Sequence, residues 1–269
     1  MLHSDRFAAG DVAGADLELT AYQRLAGELR QPYYRWYGMV LAATRAIFDG
    51  RLDAGRALAE EAVALNREHE DDADQEWVVQ QLLLARISGR PARVPLDGLR
   101  AYAERYPALP VWRALLAVGE WVAGDADAAR AACEECAPRG AAALPDDPDL
   151  PCTLALLADV SVSAELRERL EPYAGRNVVT DRSWAAWGAA ARPLGRLAAA
   201  LGDEAGAQAH FERAIALHRR WGARPWLAIA IRDYAAALPG VASAALVEEG
   251  EALARRLGLQ TPISTKPAQ

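Results

Sequence analysis

A glycine recurs at nearly constant intervals between alanine-rich segments, and this spacing restricts the fold of the chain more than any other feature. The glycines are Gly10, Gly50, Gly89, Gly124, Gly202 and Gly240. They are 40, 39, 35, 78 and 38 residues apart, and the step of 78 is two steps of 39 with a shorter join at residues 159–163. A period of roughly 38 residues is typical of helical-hairpin repeats. We therefore expect an array of helical pairs.

Each period contains two amphipathic segments. Between residues 204 and 220, one helical face collects Ala207, Phe211, Ala214, Ile215 and His218, at the three- and four-residue spacing of an α-helix. Pro32 predicts the start of a helix that ends before Gly50, because Pro suits the first helical position and Gly the position after the end. Val, Ile and Thr are sparse, and no alternating apolar run is long enough for a strand. The pattern predicts an all-α chain.

The basic residues are almost all arginine, which excludes lysine-dependent chemistry. Of the 30 basic residues 29 are Arg, and the single lysine, Lys266, is the fourth residue from the end. A P-loop requires a lysine that reaches the phosphates, and a Schiff-base enzyme requires a lysine nucleophile. The net charge of −7 disfavours nucleic acid as a partner.

The chain also has no sequence feature of a membrane protein. No segment approaches the ~18 unbroken apolar residues of a membrane helix, and the first residues contain no signal-peptide core. We expect a cytoplasmic protein without membrane contact.

The cysteines and histidines predict neither a metal site nor a disulfide framework. Cys133 and Cys136 form a Cys-x-x-Cys spacing. They follow Gly124 by nine and twelve residues, just as Phe211 and Ala214 follow Gly202. With Cys152 they make an odd number and are expected to be buried packing residues. The four histidines have no metal-ligand or catalytic spacing: His3, His69, His210 and His218. We expect no catalytic residue, metal or cofactor.

Residues 193–214 resemble the tetratricopeptide repeat. The matching positions are Leu194, Gly195, Gly202, Ala207, Phe211 and Ala214. Small residues at Gly195 and Ala207 let two helices approach closely, and Phe211 fills the space against the next hairpin. Two positions depart from the repeat pattern, because Ala191 stands at the place of its Trp and Arg219 at the place of its closing Pro.

A longer resemblance covers most of the chain. Four stretches are similar to the repeat region of large bacterial signalling ATPases, including nucleotide-cyclase-like and LuxR-type regulators: residues 28–37, 106–113, 172–177 and 222–228. The resemblance implies a right-handed α-solenoid of about six to seven hairpins over residues 1–258. Separately, Pro262 and Pro267 predict a disordered tail at 259–269. The resemblance also implies a sensor or scaffold role, although this chain lacks the ATPase module, the cyclase domain and the terminal helix-turn-helix.

The first helix of each tetratricopeptide-like hairpin lines the concave face of such an array. Aligning the periods on their glycines places aromatic residues and arginines on that face: Tyr37, Arg86, Trp121, Arg192, Arg196 and Tyr234, with Thr44 beside them. Trp184 and Trp187 are expected just upstream, on the same helix as Arg192. Trp, Tyr and Arg dominate binding hot spots, so this groove would suit a peptide or a small anionic ligand.

Three functional hypotheses follow. The first is a non-catalytic module that senses a ligand or protein through its groove and acts in regulation or signalling. The second is a protein of a biosynthetic pathway that binds or converts a small metabolite in the groove. The third is a truncated relative whose ATPase is supplied by another chain.

The N-terminal edge predicts a docking surface. The segment after Gly10 corresponds to the second helix of a hairpin, and the residues before it are too few for a full first helix. We expect apolar side chains to remain uncovered there: Phe7, Leu17, Leu25 and Leu29. A second copy of the chain, or an ATPase-like partner, would cover them.

Overall fold

The structure is a computed structural model that describes residues 2–67 and 74–260. His69 and the predicted tail beyond Gln260 lie outside these residues. The described part is mostly helical, as expected, and its helices are α1 Leu2–Ala9, α2 Val12–Leu29, α3 Pro32–Phe48, α4 Leu52–Asn66, α5 Gln75–Ser88, α6 Leu96–Arg105, α7 Pro110–Ala123, α8 Ala126–Cys136, α9 Leu150–Val160, α10 Ala164–Leu170, α11 Ala191–Ala200, α12 Glu204–Trp221, α13 Arg224–Ala237 and α14 Ala244–Arg256.

The helix ends follow the glycine pattern. All six predicted turn glycines have positive φ, and three of them precede an aspartate that begins the next helix. Asp11, Asp125 and Asp203 each accept a hydrogen bond of 2.9 Å from the backbone N–H three residues later. This cap satisfies one of the free N–H groups of the helix. The join predicted at residues 159–163 separates α9 from α10, and Ser163 caps α10.

Consecutive helices pack as pairs, beginning with α1 against α2 and ending with α13 against α14. The odd-numbered helices from α3 to α13 also contact one another in order, and α13 contacts α3 and α5. These contacts make a closed circuit, so the last helical pairs pack on the first. The interior of this circuit is where the first helices of the pairs meet.

The α11/α12 pair has the close approach that the sequence predicts. A β-carbon placed on Gly195 would lie 2.9 Å from Cγ of Phe211, and Ala207 and Phe211 are fully buried. The Phe211 ring stacks on Tyr234 of α13, with 5.4 Å between ring centroids. Small residues thus bring the two helices together, and the aromatic side chain reaches the next pair.

A short β-hairpin corrects the expectation that the chain is entirely helical. Strand β1 Asn177–Val179 pairs antiparallel with strand β2 Ala186–Ala189, and the hairpin contacts α1, α3, α9 and α12. Trp187 is therefore on a strand, and Trp184 in the turn before it, rather than on the helix of Arg192. The strands are three and four residues long, too short for an alternating pattern to reveal them.

The N-terminal edge differs from the expectation at one residue. Phe7 is buried and lies edge-on to Phe48, with ring centroids 5.0 Å apart, because α1 packs against α2 and the hairpin. The other three predicted side chains are exposed: Leu17 by 74%, Leu25 by 51% and Leu29 by 48%. Along the described residues, no helix combines the length and apolar character required to cross a bilayer.

Candidate functional site

Three of the predicted groove residues converge on one buried carboxylate inside the helical circuit. Arg192 donates to both oxygens of Asp159 at 2.6 and 2.7 Å. Arg196 donates to the same carboxylate at 3.2 Å, and the Arg86 guanidinium lies 3.6 Å from it. Arg192 also donates to Asp233 at 2.9 Å. We refer to these five residues as the charge cluster.

The electrostatics of the charge cluster favour ionised groups. Burial opposes the charged form of Asp159, but Arg192, Arg86 and Arg196 outweigh it and lower the pKa of Asp159. Burial lowers the pKa of Arg86 to about 10, despite the nearby Asp159. Arg86 therefore remains a cation at neutral pH. The cluster holds three guanidinium groups and two carboxylates, an excess of one positive charge.

Indole rings cover the guanidinium groups. Arg86 lies 4.9 Å and Arg196 5.7 Å from the ring centroid of Trp121. Arg192 lies 5.3 Å from the ring centroid of Trp226, a residue that the sequence analysis did not single out. Cation–π contacts of this kind are stronger where the cation is desolvated.

These side chains are interior in the structure rather than exposed on a concave surface. Arg86, Arg192, Arg196 and Tyr234 are each at most 6% exposed. The physical reason is the contact of α13 with α3 and α5, which brings the two ends of the array together. An alignment on turn glycines identifies residues that share a face, but it does not reveal that this face is enclosed.

Tyr37, Thr44 and Trp184 meet at the turn between the two strands. The Tyr37 hydroxyl donates to the backbone oxygen of Arg182 at 2.7 Å, and the Thr44 hydroxyl donates to that of Trp184 at 2.5 Å. Gln80 of α5 donates to the same Trp184 oxygen at 3.1 Å. Trp187 lies deeper and is 3% exposed. The turn is thus hydrogen-bonded to both α3 and α5.

The backbone of this turn is strained. Arg182 and Ser183 have φ values of 59° and 60°, a left-handed conformation that side chains other than glycine rarely adopt. Two such residues cost on the order of 1–3 kcal/mol each and persist only where the surroundings enforce them. The guanidinium of Arg182 points to the aromatic residues of α3, donating to the Tyr33 hydroxyl and lying 5.2 Å from the Tyr37 ring centroid.

A cavity of about 250 Å³ lies beside the turn. Its lining is mainly aromatic and aliphatic, with two carboxylates, and includes Tyr106, Leu109, Val111, Trp112, Leu115, Asp149, Asp181 and Trp184. The indole N–H of Trp184 is buried and has no hydrogen-bond partner within the described structure. Apolar walls with a few polar groups are typical of small-molecule sites.

Asp149 is one of the polar residues of this cavity that the sequence analysis missed. It accepts the backbone N–H of Asp181 at 2.6 Å. Burial, and then the charges of Asp181 and Asp147, raise the pKa of Asp149 to about 6, although that hydrogen bond lowers it. In the sequence, Asp149 stands in a run of aspartates at residues 146–149, Asp-Asp-Pro-Asp.

The three cysteines and His218 are buried in the helical packing. Burial raises the pKa of Cys133 and of Cys136 to about 12, and Cys152 is fully buried. The side chain of His218 is buried and accepts the backbone N–H of Ala189 at 2.8 Å. Across residues 2–67 and 74–260, no three His, Cys, Asp or Glu side chains are grouped to hold a metal ion.

Comparisons with known proteins assign the chain to no family. No protein-family model, no curated protein and no solved structure matches it. The tetratricopeptide resemblance therefore remains a prediction from residues 193–214. The function proposed for the chain rests on its own cavity, turn and charges.

Proposed function

We propose that the chain is a non-catalytic sensing module with a tetratricopeptide-like architecture. Its helical pairs correspond to seven hairpins of a right-handed α-solenoid whose ends meet. In this proposal a small molecule or a short protein segment enters the cavity beside Trp184 and changes how the helices are held together. The regulatory role implied by the resemblance to signalling ATPases is part of the same proposal.

One observation carries the proposal: the strained turn is shared by the cavity and the helical array. Asp181, Arg182 and Trp184 line the cavity, while the backbone oxygens of Arg182 and Trp184 accept the hydrogen bonds from α3 and α5. A ligand that contacts the turn therefore touches the segment that joins these helices. Strained turns of this kind often occur at ligand clamps and switch regions.

The physical consequence is a coupling between the cavity and the array. A ligand shifts a conformational equilibrium only by the difference between its affinities for the two states. A ligand that contacts Trp184 and Asp181 would favour the turn conformation in which both residues line the cavity. Occupancy therefore stabilises the closed arrangement, in which Tyr37 and Thr44 are bonded to the turn.

The experiment is a screen of a defined small-molecule library by native mass spectrometry, with two matched variants. Leu109 is 44% exposed and lines the cavity, so Leu109→Trp should obstruct the cavity at little cost to folding. Leu201 is 42% exposed and is not part of the cavity lining, so Leu201→Trp is the control. We expect binding compounds to lose at least tenfold in affinity with Leu109→Trp and to keep their affinity with Leu201→Trp.

Two results would contradict the proposal. If Leu109→Trp binds the same compounds as the unsubstituted chain, the cavity is not the ligand site. If a bound compound changes mass during incubation with the protein, the chain converts it, and the metabolic hypothesis replaces the non-catalytic one.

A further inference from the structure

A second cavity lies where the last helical pair closes on the first ones. The turn at Gly50 packs against Leu257, the residue that follows α14, and a β-carbon on Gly50 would lie 2.9 Å from Cδ2 of Leu257. The backbone N–H of Gln260 donates to the oxygen of Ser88 at 3.0 Å. Arg224 donates to the backbone oxygen of Asp49 at 2.6 Å. We call this junction of α4, α5, α13 and α14 the closing seam.

The cavity at the closing seam is strongly basic. It has a volume of about 350 Å³, and among the described residues it is lined by four arginines, Arg51, Arg56, Arg90 and Arg256, but by a single carboxylate, Asp53. The chain as a whole has a net charge of −7. The cavity is therefore locally positive, whereas the protein as a whole is negative.

Most of these arginines have no counterion in the structure. Arg51 pairs with Asp49 at 3.0 Å. Arg56, Arg90 and Arg256 make no ion pair with any residue in the described ranges. The Nε atom of Arg56 is buried and has no hydrogen-bond partner among the described groups. Burial of an N–H donor without an acceptor is unfavourable, so an acceptor that enters the cavity would be bound favourably.

The first turn of α4 adds backbone donors to the same cavity. Leu52, Asp53 and Ala54 line it, and the residue before them, Arg51, supplies no side-chain cap to the helix. The first N–H groups of a helix have no intrahelical acceptor, and the helix dipole favours an anion beside them. This end of α4 is a supporting feature, because the uncompensated guanidinium groups already favour an anion.

We propose that the closing seam binds a small phosphate-bearing metabolite. Guanidinium groups donate parallel pairs of hydrogen bonds to phosphate oxygens, and these charge-assisted bonds are stronger than neutral ones. A phosphate group carries up to two negative charges, which matches the unpaired guanidinium groups better than a single carboxylate does. The volume of about 350 Å³ leaves room for a small organic part beyond the phosphate.

Binding at this place has a structural consequence. Arg56 belongs to α4, Arg90 follows α5 and Arg256 ends α14, so one anion bridges elements from both ends of the array. A ligand that binds only the native state adds to its stability by mass action. The bound anion therefore holds the ends of the array together. This site is separate from the cavity beside Trp184.

The test uses the full chain and pyrophosphate as the probe, measured by isothermal titration calorimetry at fixed ionic strength. Arg90→Gln and Arg256→Gln each remove one charge from the cavity. Arg255→Gln removes the same charge from the same helix, at an exposed residue that lies 3.7 Å from Glu251. We expect saturable binding that weakens at least tenfold in Arg90→Gln and Arg256→Gln and less than twofold in Arg255→Gln. Hydrogen exchange should slow at residues 50–56 and 88–90 when pyrophosphate is added.

Titrations with inorganic phosphate and sulfate separate specific binding from general anion binding. Pyrophosphate should bind at least tenfold more tightly than sulfate. An absence of binding at millimolar pyrophosphate, an equal loss in all three variants, or equal affinity for sulfate would overturn the inference. None of these outcomes bears on the Leu109→Trp experiment, so failure here and failure of the proposed function are distinguishable.

Discussion

Arg192 donates to both carboxylate oxygens of Asp159, and both residues are buried at the centre of the helical circuit. They belong to α11 and α9, and the second Arg192 contact, with Asp233, adds α13. A single guanidinium thus links three consecutive first helices. The structure uses the basic and aromatic residues of the predicted groove to hold the interior of the array.

The first prediction concerns this linkage. Asp159→Asn leaves three guanidinium groups facing one carboxylate, and removal of one partner from a buried ion pair costs about 3–5 kcal/mol. We expect urea denaturation to show a loss of that size in the free energy of unfolding.

The matched control is Asp127→Asn, because Asp127 pairs with Arg130 at 2.8 Å on the surface and such pairs contribute about 0–1 kcal/mol. Equal losses in the two variants would mean that the charge cluster contributes no more to stability than an ion pair on the surface.

The second prediction concerns the contact between α11 and α12. Ala207 is fully buried there, so Ala207→Leu should overpack the pair and cost about 1–3 kcal/mol. Ala209 is exposed on the same helix, and Ala209→Leu should change stability by less than about 0.5 kcal/mol. Thermal or urea unfolding measures both. An unchanged midpoint for Ala207→Leu would contradict the repeat register.

The helical part of this fold was predictable because its signals are local. Gly202 and Asp203 end one helix and cap the next, and the buried face of α12 follows the spacing of Phe211 and Ala214. Such patterns depend only on neighbours in sequence. Arg86, Arg192 and Arg196, which the alignment on turn glycines groups together, all approach the carboxylate of Asp159.

The enclosed interior and the β-hairpin were not predictable because they depend on distant contacts. Trp184 and Thr44 are 140 residues apart, and nothing near either residue indicates that they bond. The left-handed conformation of Arg182 and Ser183 lies in a turn that is held both by local hydrogen bonds, such as that from the Ser183 N–H to the Thr180 oxygen, and by bonds from the distant Tyr37 and Thr44. Asp149 likewise meets the turn through a partner 32 residues away, the backbone N–H of Asp181.

The third prediction is a pH dependence of stability from His218. Burial and the charge of Arg192 lower the pKa of His218 to about 3 from a usual value of 6.5. Below pH 6.5 the unfolded chain binds a proton that the folded chain does not. The free energy of unfolding therefore decreases as the pH is lowered. The loss is about 1.4 kcal/mol per pH unit until pH approaches 3.

His218→Gln keeps an acceptor for the N–H of Ala189 but does not titrate. Urea denaturation at several pH values should therefore show that the advantage of the unsubstituted chain over this variant shrinks as the pH falls from 6.5 to 4. Parallel stability curves for the two proteins would show that His218 is not buried in its neutral form.

The fourth prediction concerns the exposed stripe of α2. Leu17 and Leu25 are two helical turns apart and more than half exposed, and we propose that a second copy of the chain covers them. Light scattering should detect dimers at high protein concentration, and Leu17→Glu with Leu25→Glu should abolish them. Thr20→Glu, at an exposed residue of the same helix, is the control. A strict monomer at high concentration would exclude self-association.

The closed circuit of helices underlies the enclosed charge cluster, the shared turn and the closing seam, and small-angle X-ray scattering tests it most directly. The measurement is the radius of gyration of the monomeric peak after gel filtration. A compact chain of this length predicts about 18 Å, with a symmetric distribution of interatomic distances. A clearly larger radius with an elongated distance distribution would show that the array is open, and it would contradict the account.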